Sequence, residues 1–298
     1  RDPAVKVEAT VPVNLADAGY QFGVSRFAME PGTVTAKVGA PTPEHMAYAT
    51  ALIGRLPADL WEMAHDPARA PLLIYALLLS REAAGREAQQ RLLGAEWDDV
   101  VAAADEVAAL PPEMRLPLLD MAMPALRQMA AGAYPGFRAT VEALSGADQK
   151  VDLFEYALKR IMIRRLDPVF LETPPIRMKH LRFSEVAAEV ACLLSCLAYA
   201  GTDDETAAER AFVSGTARLA AGTPLNRLPV EACDLTALDG ALDALAAAAP
   251  SIKRQLIDAC SACIGADGTV TVEEAELLRA TADALDCPLP PFLQRKAA

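Results

Sequence analysis

The sequence has few histidines and few aromatic residues: three histidines occur in 298 residues, and Phe, Trp and Tyr together make up 5% of the chain. No histidine is followed by a second one four residues later, so the H-E-x-x-H motif of zinc metallopeptidases is missing. The G-x-S-x-G motif of serine hydrolases and the glycine-rich phosphate-binding motifs are missing too. Each absence excludes one kind of catalytic centre, and the residues alone do not declare a reaction.

Long hydrophobic runs are also missing. The longest lie at residues 71–79 and 190–200, and both are shorter than the roughly 20 residues that a membrane-spanning helix needs. We therefore expect buried core helices and a soluble chain. No signal peptide is visible and the chain begins with Arg1 rather than Met, so we expect a fragment or a processed form.

Runs of β-branched residues are rare, whereas alanine and leucine are abundant, and this composition predicts an all-α fold. The formal net charge of −12 argues against binding of nucleic acid over a broad surface, because neutralising phosphates requires clustered Lys and Arg. We therefore expect no nucleic-acid partner. Acidity by itself indicates solubility and not a function.

Six cysteines lie mostly inside apolar helical sequence, as expected of reduced thiols in a core and in a reducing compartment. Cys260 and Cys263 form a C-x-x-C pair, and Cys192 and Cys196 lie one helical turn apart. Four thiolates can in principle hold a zinc ion. Zinc-binding C-x-x-C pairs lie on tight turns, however, whereas these pairs lie in helical sequence, so we favour buried thiols.

Proline and glycine divide the chain into four parts. Residues 1–41 lack a helical period, which predicts an extended leader with a short strand packed on the helical body. Helical sequence begins at Thr42-Pro43, an N-cap followed by Pro at the first helical position. We predict an N-terminal helical lobe at 42–167, a Pro-rich basic linker at 168–183, and a C-terminal helical lobe at 184–298.

Prolines and polar residues interrupt the predicted helical segments at short intervals, without a strict repeat. This pattern favours an irregular multi-helix bundle. Residues 113–131 are rich in Met and Leu on nearly every face and predict a central core helix. A helix over 152–166 is expected to end at Asp167-Pro168, since proline disrupts a helix interior.

One helix–turn–helix element occurs twice, once in each predicted lobe. Near the C-terminus, Thr271 and Glu274 form a capping box, in which the Thr hydroxyl binds a backbone N–H of the first turn and the Glu carboxylate reaches back to the Thr N–H. Residues 146–155 have the same form, with Asp152 and Glu155 as the box. Both copies predict a turn followed by a capped helix.

The turn before the second box resembles the back half of a calcium-binding EF-hand loop. If Glu274 is position twelve, then Cys263 and Gly265 occupy positions one and three, where calcium needs oxygen ligands. We therefore favour a structural turn. A weak divalent-cation site remains an alternative, and its candidate ligands are Asp148, Asp152, Glu155, Asp267, Glu273 and Glu274.

A cluster of basic residues interrupts this acidic chain. Its members are Lys159, Arg160, Arg164, Arg165, Arg177, Lys179 and Arg182. The ordinary explanation is a solvated helix end followed by a basic loop. The sharper hypothesis is a patch that faces anionic lipid or an acidic partner domain.

Seven passages, taken in order, carry a family resemblance. They are GAPTPEHMAYA (39–49), LLIYALLL (72–79), RLPLLD (115–120), VDLFEYAL (151–158), ADGTVT (266–271), ELLRA (276–280) and ALDCP (284–288). Together they resemble the long C-terminal extension of bacterial membrane zinc metallopeptidases of the CAAX-prenyl-protease and heat-shock-protease type. The resemblance covers residues 38–292, and the two capping-box elements are similar to the helical tellurite-resistance TerB-type module.

In that family, transmembrane helices and an H-E-x-x-H domain precede the extension. The resemblance thus implies a non-catalytic, regulatory or scaffolding region that carries no cofactor itself, with zinc in the preceding catalytic domain. It implies a position at the cytoplasmic face of the inner membrane. The partners that the resemblance implies are the upstream peptidase domain and substrate proteins, and the basic cluster adds an anionic membrane surface as a hypothesis. No catalytic residue is carried over, because no position in this chain matches one.

Three hypotheses remain open. The leading one is an accessory interaction region of a membrane zinc metallopeptidase, which is not an enzyme on its own. The second is a metal-responsive TerB-like binding module with a weak divalent site near the two turns. The third is an enzyme of unrecognised type, which only generic acidic residues support.

Overall fold

The computed structural model describes residues 26–27, 29, 31–80, 82–145, 153–172, 177–200, 202, 204–219, 224–290 and 292. Within these residues the fold is mostly helical, which confirms the all-α class predicted from the composition. The helices are α1 (Pro31–Val34), α2 (Pro43–Ile53), α3 (Ala58–His65), α4 (Ala70–Leu77), α5 (Ala83–Leu93), α6 (Trp97–Ala108), α7 (Arg115–Leu126), α8 (Tyr134–Ser145), α9 (Leu153–Phe170), α10 (Ala187–Ala200), α11 (Glu205–Thr216), α12 (Leu235–Ala246), α13 (Pro250–Ile264) and α14 (Val272–Ala284).

Two short strands form the only sheet in the described part of the chain. Strand β1 (Arg26–Phe27) pairs antiparallel with β2 (Val270–Thr271), with Arg26 opposite Thr271 and Phe27 opposite Val270. A short strand at the end of the N-terminal segment therefore packs on the helical body, whereas the alternating valines at positions 5–13, from which a strand was predicted, lie outside the described residues. Part of the same segment is helical and not extended, since α1 and a 3-10 helix (Thr35–Lys37) follow β1. Val34 is fully buried, so tertiary packing decides the local structure there.

Side-chain caps start α2 and α14 where the sequence predicted them, and the capping box predicted at Asp152 and Glu155 includes a residue outside the described ones. At α14, the Thr271 N–H donates to Glu274 Oε2 over 2.8 Å and the Glu274 N–H donates to Thr271 Oγ1 over 3.1 Å, so this capping box is confirmed. At α2, Thr42 caps the helix and the Thr42 N–H donates to Nδ1 of His45 over 3.1 Å. The ring of His45 takes the place that Glu has in the usual box.

The helix predicted to end at Asp167-Pro168 continues to Phe170, so that prediction was wrong by one turn. Tertiary contacts hold the extra turn. The Tyr134 hydroxyl donates to Asp167 Oδ1 over 2.5 Å, and the Tyr134 and Phe170 rings stack with centroids 4.5 Å apart. Stacked aromatic rings and a charge-assisted hydrogen bond offset the backbone hydrogen bond that Pro168 cannot donate.

The apolar side chains collect in two large clusters. The N-terminal cluster consists of buried residues between positions 60 and 166, together with Ala280 of α14. The C-terminal cluster consists of buried residues between positions 186 and 292, together with Val34 of α1 and Tyr156 of α9. Helices α9 and α14 pack along each other, and each contributes to both clusters. These two helices therefore form the seam along which the clusters meet.

None of the helices in the part of the chain that the structure describes combines the length and apolarity that crossing a bilayer requires. The apolar run at 71–79 and the one at 190–200 are instead largely buried, in α4 and the residues after it and in α10. Burial of each Leu side chain stabilises the fold by about 1.5–3 kcal/mol. These runs are core helices, as predicted.

Candidate interaction surface

The seven candidate basic residues fall into two groups in the structure. Lys159, Arg160, Arg164 and Arg165 lie on α9, on the seam between the clusters. The other three lie after the end of α9, in residues 177–182. We call this segment, residues 177–182, the basic ridge. The two groups have different surroundings.

Arg160 is almost completely buried, with 8% of its side chain exposed. Its Nη1 lies 2.6 Å from Asp239 Oδ1, and its Nη2 binds Asp243, both on α12. The Tyr156 hydroxyl donates to the same Asp239 carboxylate. Burial, and then this hydrogen bond, raise the pKa of Tyr156 well above its ordinary value. The group is a polar link between α9 and α12.

Arg165 and Arg164 make further links along the seam. Arg165 Nη1 lies 2.6 Å from Asp120 of α7, and its Nη2 lies 2.5 and 2.6 Å from the two oxygens of Asp283 on α14. Arg164 Nη2 lies 2.7 Å from Asp286 Oδ2. Asp286 follows the end of α14 with φ of 57°, in the left-handed region, which Asp tolerates better than most residues. The ion pair thus fixes the chain where α14 ends.

The structure therefore places three of the four α9 cations in internal ion pairs. Lys159 is half-buried, and its Nζ lies 5.0 Å from the centre of the Tyr156 ring, which gives a cation–π contact. A guanidinium that already binds carboxylates of its own chain is poorly available to a lipid phosphate. The α9 part of the predicted patch holds helices together.

The basic ridge has a fixed backbone and exposed side chains. The N–H groups of Lys179 and His180 donate to the Ala247 carbonyl over 2.8 and 3.2 Å, and the Ala249 N–H donates to the His180 carbonyl over 2.8 Å. These bonds attach the ridge to the junction between α12 and α13. Arg177 and Lys179 are exposed.

Two apolar side chains on the ridge are exposed and were missed by the sequence reasoning. Met178 is 59% exposed and Leu181 is 63% exposed. The signal that could have found them is the pattern R-M-K-H-L-R at 177–182, in which apolar and basic residues interleave without a helical period. Arg182, next to Leu181, pairs with Glu185 at 2.9 Å while staying 79% exposed. The ridge therefore presents two exposed apolar side chains among its basic ones.

The acidic candidates for a divalent site have structural roles where they are described. Asp267 Oδ1 accepts from the Thr269 N–H over 3.0 Å, and Glu274 is held in the capping box. Glu273 and Glu155 lie in the first turns of α14 and α9, where a negative charge stabilises the helix dipole. Asp148 and Asp152 lie outside the described residues. Among the residues that are described, no three His, Cys, Asp or Glu side chains are grouped as metal ligands would be.

The cysteines are free thiols, and four of the six are buried as predicted. Cys260 and Cys263 lie inside α13, and the Cys263 thiol donates to the Leu194 carbonyl over 3.7 Å. Burial raises the pKa of Cys260 well above its ordinary value, and that of Cys263 to about 12. A thiol with so high a pKa is a poor thiolate ligand or nucleophile. Cys233 and Cys287 are only partly buried.

A buried polar group that the sequence reasoning missed joins α2, α14 and the 3-10 helix Pro112–Met114. Glu276 and Arg279 of α14 are both buried, with Arg279 Nη1 2.5 Å from Glu276 Oε2. Burial raises the pKa of Glu276, and the nearby Glu113 carboxylate adds to the rise while Arg279 opposes it. Burial also raises the pKa of Tyr48, which faces the same group. This group is enclosed and belongs to the architecture.

The basic ridge is thus the part of the predicted patch whose cationic side chains face solvent beside exposed apolar ones. Its backbone is held by three hydrogen bonds, so the side chains are presented from a fixed support. Comparison with protein-family models, with curated proteins and with solved structures finds no match to this chain.

Proposed function

We propose that this chain is a non-catalytic accessory region of a membrane-bound zinc metallopeptidase, and that it contacts the anionic membrane surface through the basic ridge. The ordered sequence resemblance over residues 38–292 supports the first part. The single observation that carries the second is the exposure of Met178 and Leu181 between exposed cations on a fixed backbone.

An anionic bilayer interface suits the chemistry of the ridge. Each Lys or Arg near an anionic leaflet contributes about 1 kcal/mol, and full burial of a Met or Leu about 1.5–3 kcal/mol. Partial insertion of Met178 and Leu181 beside Arg177 and Lys179 therefore gives roughly 5 kcal/mol, a dissociation constant on the order of 0.1–1 mM. Such weak binding orients a region that is already tethered to the membrane.

The net charge of −12 opposes this contact at long range. Salt screens charges beyond about 8 Å at physiological ionic strength, so the local charge of the ridge decides the outcome. In this proposal zinc belongs to the peptidase domain that precedes the region in the same polypeptide. The region lies at the cytoplasmic face of the inner membrane and takes the peptidase domain and its substrate proteins as further partners.

Co-sedimentation with liposomes tests the membrane contact. We expect the chain to pellet with vesicles of phosphatidylglycerol and phosphatidylethanolamine and not with vesicles of phosphatidylcholine, and less so as salt rises. Arg177→Glu with Lys179→Glu abolishes pelleting, and Met178→Ser with Leu181→Ser reduces it. The matched control is Arg127→Glu with Arg210→Glu, which changes the net charge equally at exposed sites outside the ridge. An equal loss of pelleting in the control variant would show a general effect of net charge. It would refute the proposal that the ridge is the membrane-binding surface.

Incubation with an unfolded protein substrate tests the non-catalytic role. We expect no cleavage by the isolated chain, with or without added zinc. Cleavage that a chelator abolishes would sink the accessory proposal, whatever the liposomes show. The two experiments therefore fail independently.

A further inference from the structure

A cleft of about 410 Å³ lies beside the start of α13. One wall is formed by the first two turns of that helix, and the other by Thr35 and Val38 together with Asp286 and Cys287, which follow α14. Clefts that bind small organic ligands usually measure about 300–1,000 Å³. The space is therefore large enough for such a ligand, and the side chains around it decide which kind.

Two cations lie on the face of α13 that lines the cleft. Pro250, Lys253, Arg254 and Ile257 are spaced three or four positions apart and all line it, as residues of one helical face do. Ile257 is fully buried and Arg254 is exposed. The positive end of the helix dipole lies at the same turns and adds to the two charges. This face favours an anion.

Both cations keep hydrogen-bond donors that no described side chain uses. Lys253 is mostly buried, with 12% of its side chain exposed, and its Nζ lies 3.7 Å from Asp286 Oδ2, which is longer than a hydrogen bond. Arg164 Nη2 already holds that oxygen at 2.7 Å. Arg254 pairs with no carboxylate among the described residues. An anion in the cleft can therefore accept from both cations.

The charge of the cleft is opposite in sign to that of the chain. Its lining includes the cations Lys253 and Arg254 and one carboxylate, Asp286, and Arg164 of α9 neutralises that carboxylate. The cleft therefore keeps a net positive charge in a chain whose formal net charge is −12. A positive cleft with low-dielectric walls concentrates small anions.

We propose that this cleft binds a phosphate ester. Lys253 supplies a compact charge, and the guanidinium of Arg254 supplies a planar fork that binds two phosphate oxygens at once. Thr35 and Ser251, which also line the cleft, add hydroxyl donors. A phosphate ester offers more acceptor oxygens and more charge than a carboxylate, and so matches two cations and two hydroxyls better. The apolar part of the lining contacts the organic part of the ester.

The cleft borders the attachment of the basic ridge. The Ala249 N–H donates to the His180 carbonyl over 2.8 Å, and Pro250, the next residue, lines the cleft. Phosphate esters reach this place from two sources, a phospholipid headgroup at the membrane surface or a soluble metabolite. The site does not rest on the membrane contact proposed above, because a soluble ester makes the same contacts.

A second cleft, of about 300 Å³, has a cation that is not available to an anion. Tyr199, Arg227 and Glu231 are among its lining residues. Arg227 Nη2 lies 2.6 Å from Glu205 Oε2, and its Nε lies 2.7 Å from Glu209 Oε2. Two carboxylates thus hold one guanidinium, and Glu231 adds another carboxylate. We expect no phosphate ester to bind there.

The thiol of Cys287 lines the first cleft and reports on its occupancy. Burial raises the pKa of Cys287 and also that of Cys233, the other partly exposed thiol, so both are alkylated at mildly alkaline pH and their relative rates are followed by mass spectrometry. A dissociation constant on the order of 1 mM leaves about a tenth of the clefts free at about 10 mM glycerol 3-phosphate. We therefore expect alkylation of Cys287 to slow about tenfold, and that of Cys233 to stay unchanged.

Three ligands separate the chemistry of the site from its source. Protection of Cys287 by glycerol 3-phosphate assigns a soluble ester, and protection only by phosphatidylglycerol vesicles assigns a lipid headgroup; either result supports the proposal. Protection by neither ligand, or equal protection by the carboxylate glycerate, overturns it. The variant Arg177→Glu with Lys179→Glu keeps the protection by glycerol 3-phosphate, so the cleft and the membrane contact of the ridge fail separately.

Arg254→Glu tests whether the protection comes from the cleft. Arg254 is exposed and pairs with no carboxylate among the described residues, so we expect the variant to fold. It loses one charge-assisted hydrogen bond, so we expect at least about tenfold weaker binding and loss of most of the protection of Cys287 by either ligand. Arg210→Glu makes the same change in charge at an exposed site outside the cleft and is expected to keep the protection. Full protection in Arg254→Glu, or an equal loss in Arg210→Glu, refutes the site.

Discussion

The arginines of α9 and the cations of the basic ridge lie close together in the chain and carry the same charge, yet the structure uses them differently. Arg160 and Arg165 are held by carboxylates from α7, α12 and α14. Arg177 and Lys179 are exposed on a ridge that is attached through its backbone. The difference shows that the role of a basic run depends on acids that other parts of the chain bring to it.

The choice of arginine on α9 follows from the same comparison. The planar guanidinium binds two carboxylates from different helices at once, as Arg165 does with Asp120 and Asp283. A lysine in its place offers a compact charge without that fork. The seam therefore requires the planar, forked guanidinium of arginine. The ridge, which has both Arg177 and Lys179, requires only a positive charge.

The largest effect is expected for Arg165→Met. The substitution keeps an unbranched apolar stem and leaves Asp283, whose side chain is 16% exposed, as a buried charge without its guanidinium. We expect the free energy of unfolding to fall by about 3 kcal/mol, measured by urea denaturation. The control is Arg182→Met, at a side chain that is 79% exposed, where we expect no resolvable change. An equal fall in the free energy of unfolding in both variants would show that the seam arginines do not stabilise the fold more than the ridge cations do.

Arg160→Met is expected to have the next largest effect. The side chain is buried, but its partners Asp239 and Asp243 are 48% and 76% exposed, so water solvates them when the arginine is removed. We therefore expect a loss of about 2 kcal/mol, mostly from packing and the desolvated part of the pair. A double-mutant cycle with Asp243→Asn checks this, with an expected coupling below about 1 kcal/mol.

Local signals predicted much of this fold. The capping box of Thr271 and Glu274 and the helix start at Thr42-Pro43 depend on residues three or fewer positions apart, and both were found from the sequence. The seam was not, because Arg165 and Asp283 are 118 positions apart and no local pattern links them. The extra turn past Pro168 depends likewise on Tyr134, 33 positions before Asp167. The sequence predicted the basic residues of the ridge, but it did not predict that Met178 and Leu181 are exposed beside them.

Arg279 lies at a third kind of site, where two carboxylates surround one arginine. The expected effect of this site on the free energy of unfolding is smaller than that of Arg165 or Arg160. Arg279 faces Glu276, with Glu113 close by, and burial and Glu113 raise the pKa of Glu276 above its ordinary 4.5. A folded state that holds this proton more tightly than the unfolded chain is most stable at low pH. Its free energy of unfolding then falls as the pH rises from 4.5 through the folded pKa, by up to about 1.4 kcal/mol per pH unit.

Urea denaturation between pH 4 and 7 measures this slope. Glu276→Gln removes the titrating group and is expected to remove its share of the slope. A steeper fall toward acid in the wild type than in Glu276→Gln would mean that folding lowers the pKa of Glu276 instead of raising it.

The smallest effect on stability is expected for the ridge, and it is the sharpest test of the comparison. Arg177→Glu with Lys179→Glu takes the net charge from −12 to about −16 but leaves the bonds from Lys179 N–H and His180 N–H to Ala247 in place, because these are backbone bonds. We expect the free energy of unfolding to change by less than about 0.5 kcal/mol, although the same variant abolishes liposome binding. A loss above about 1 kcal/mol would mean that the ridge cations hold the fold together as the α9 arginines do. The exposed cations would then have a structural role, and the proposal that they bind the membrane surface would lose its support.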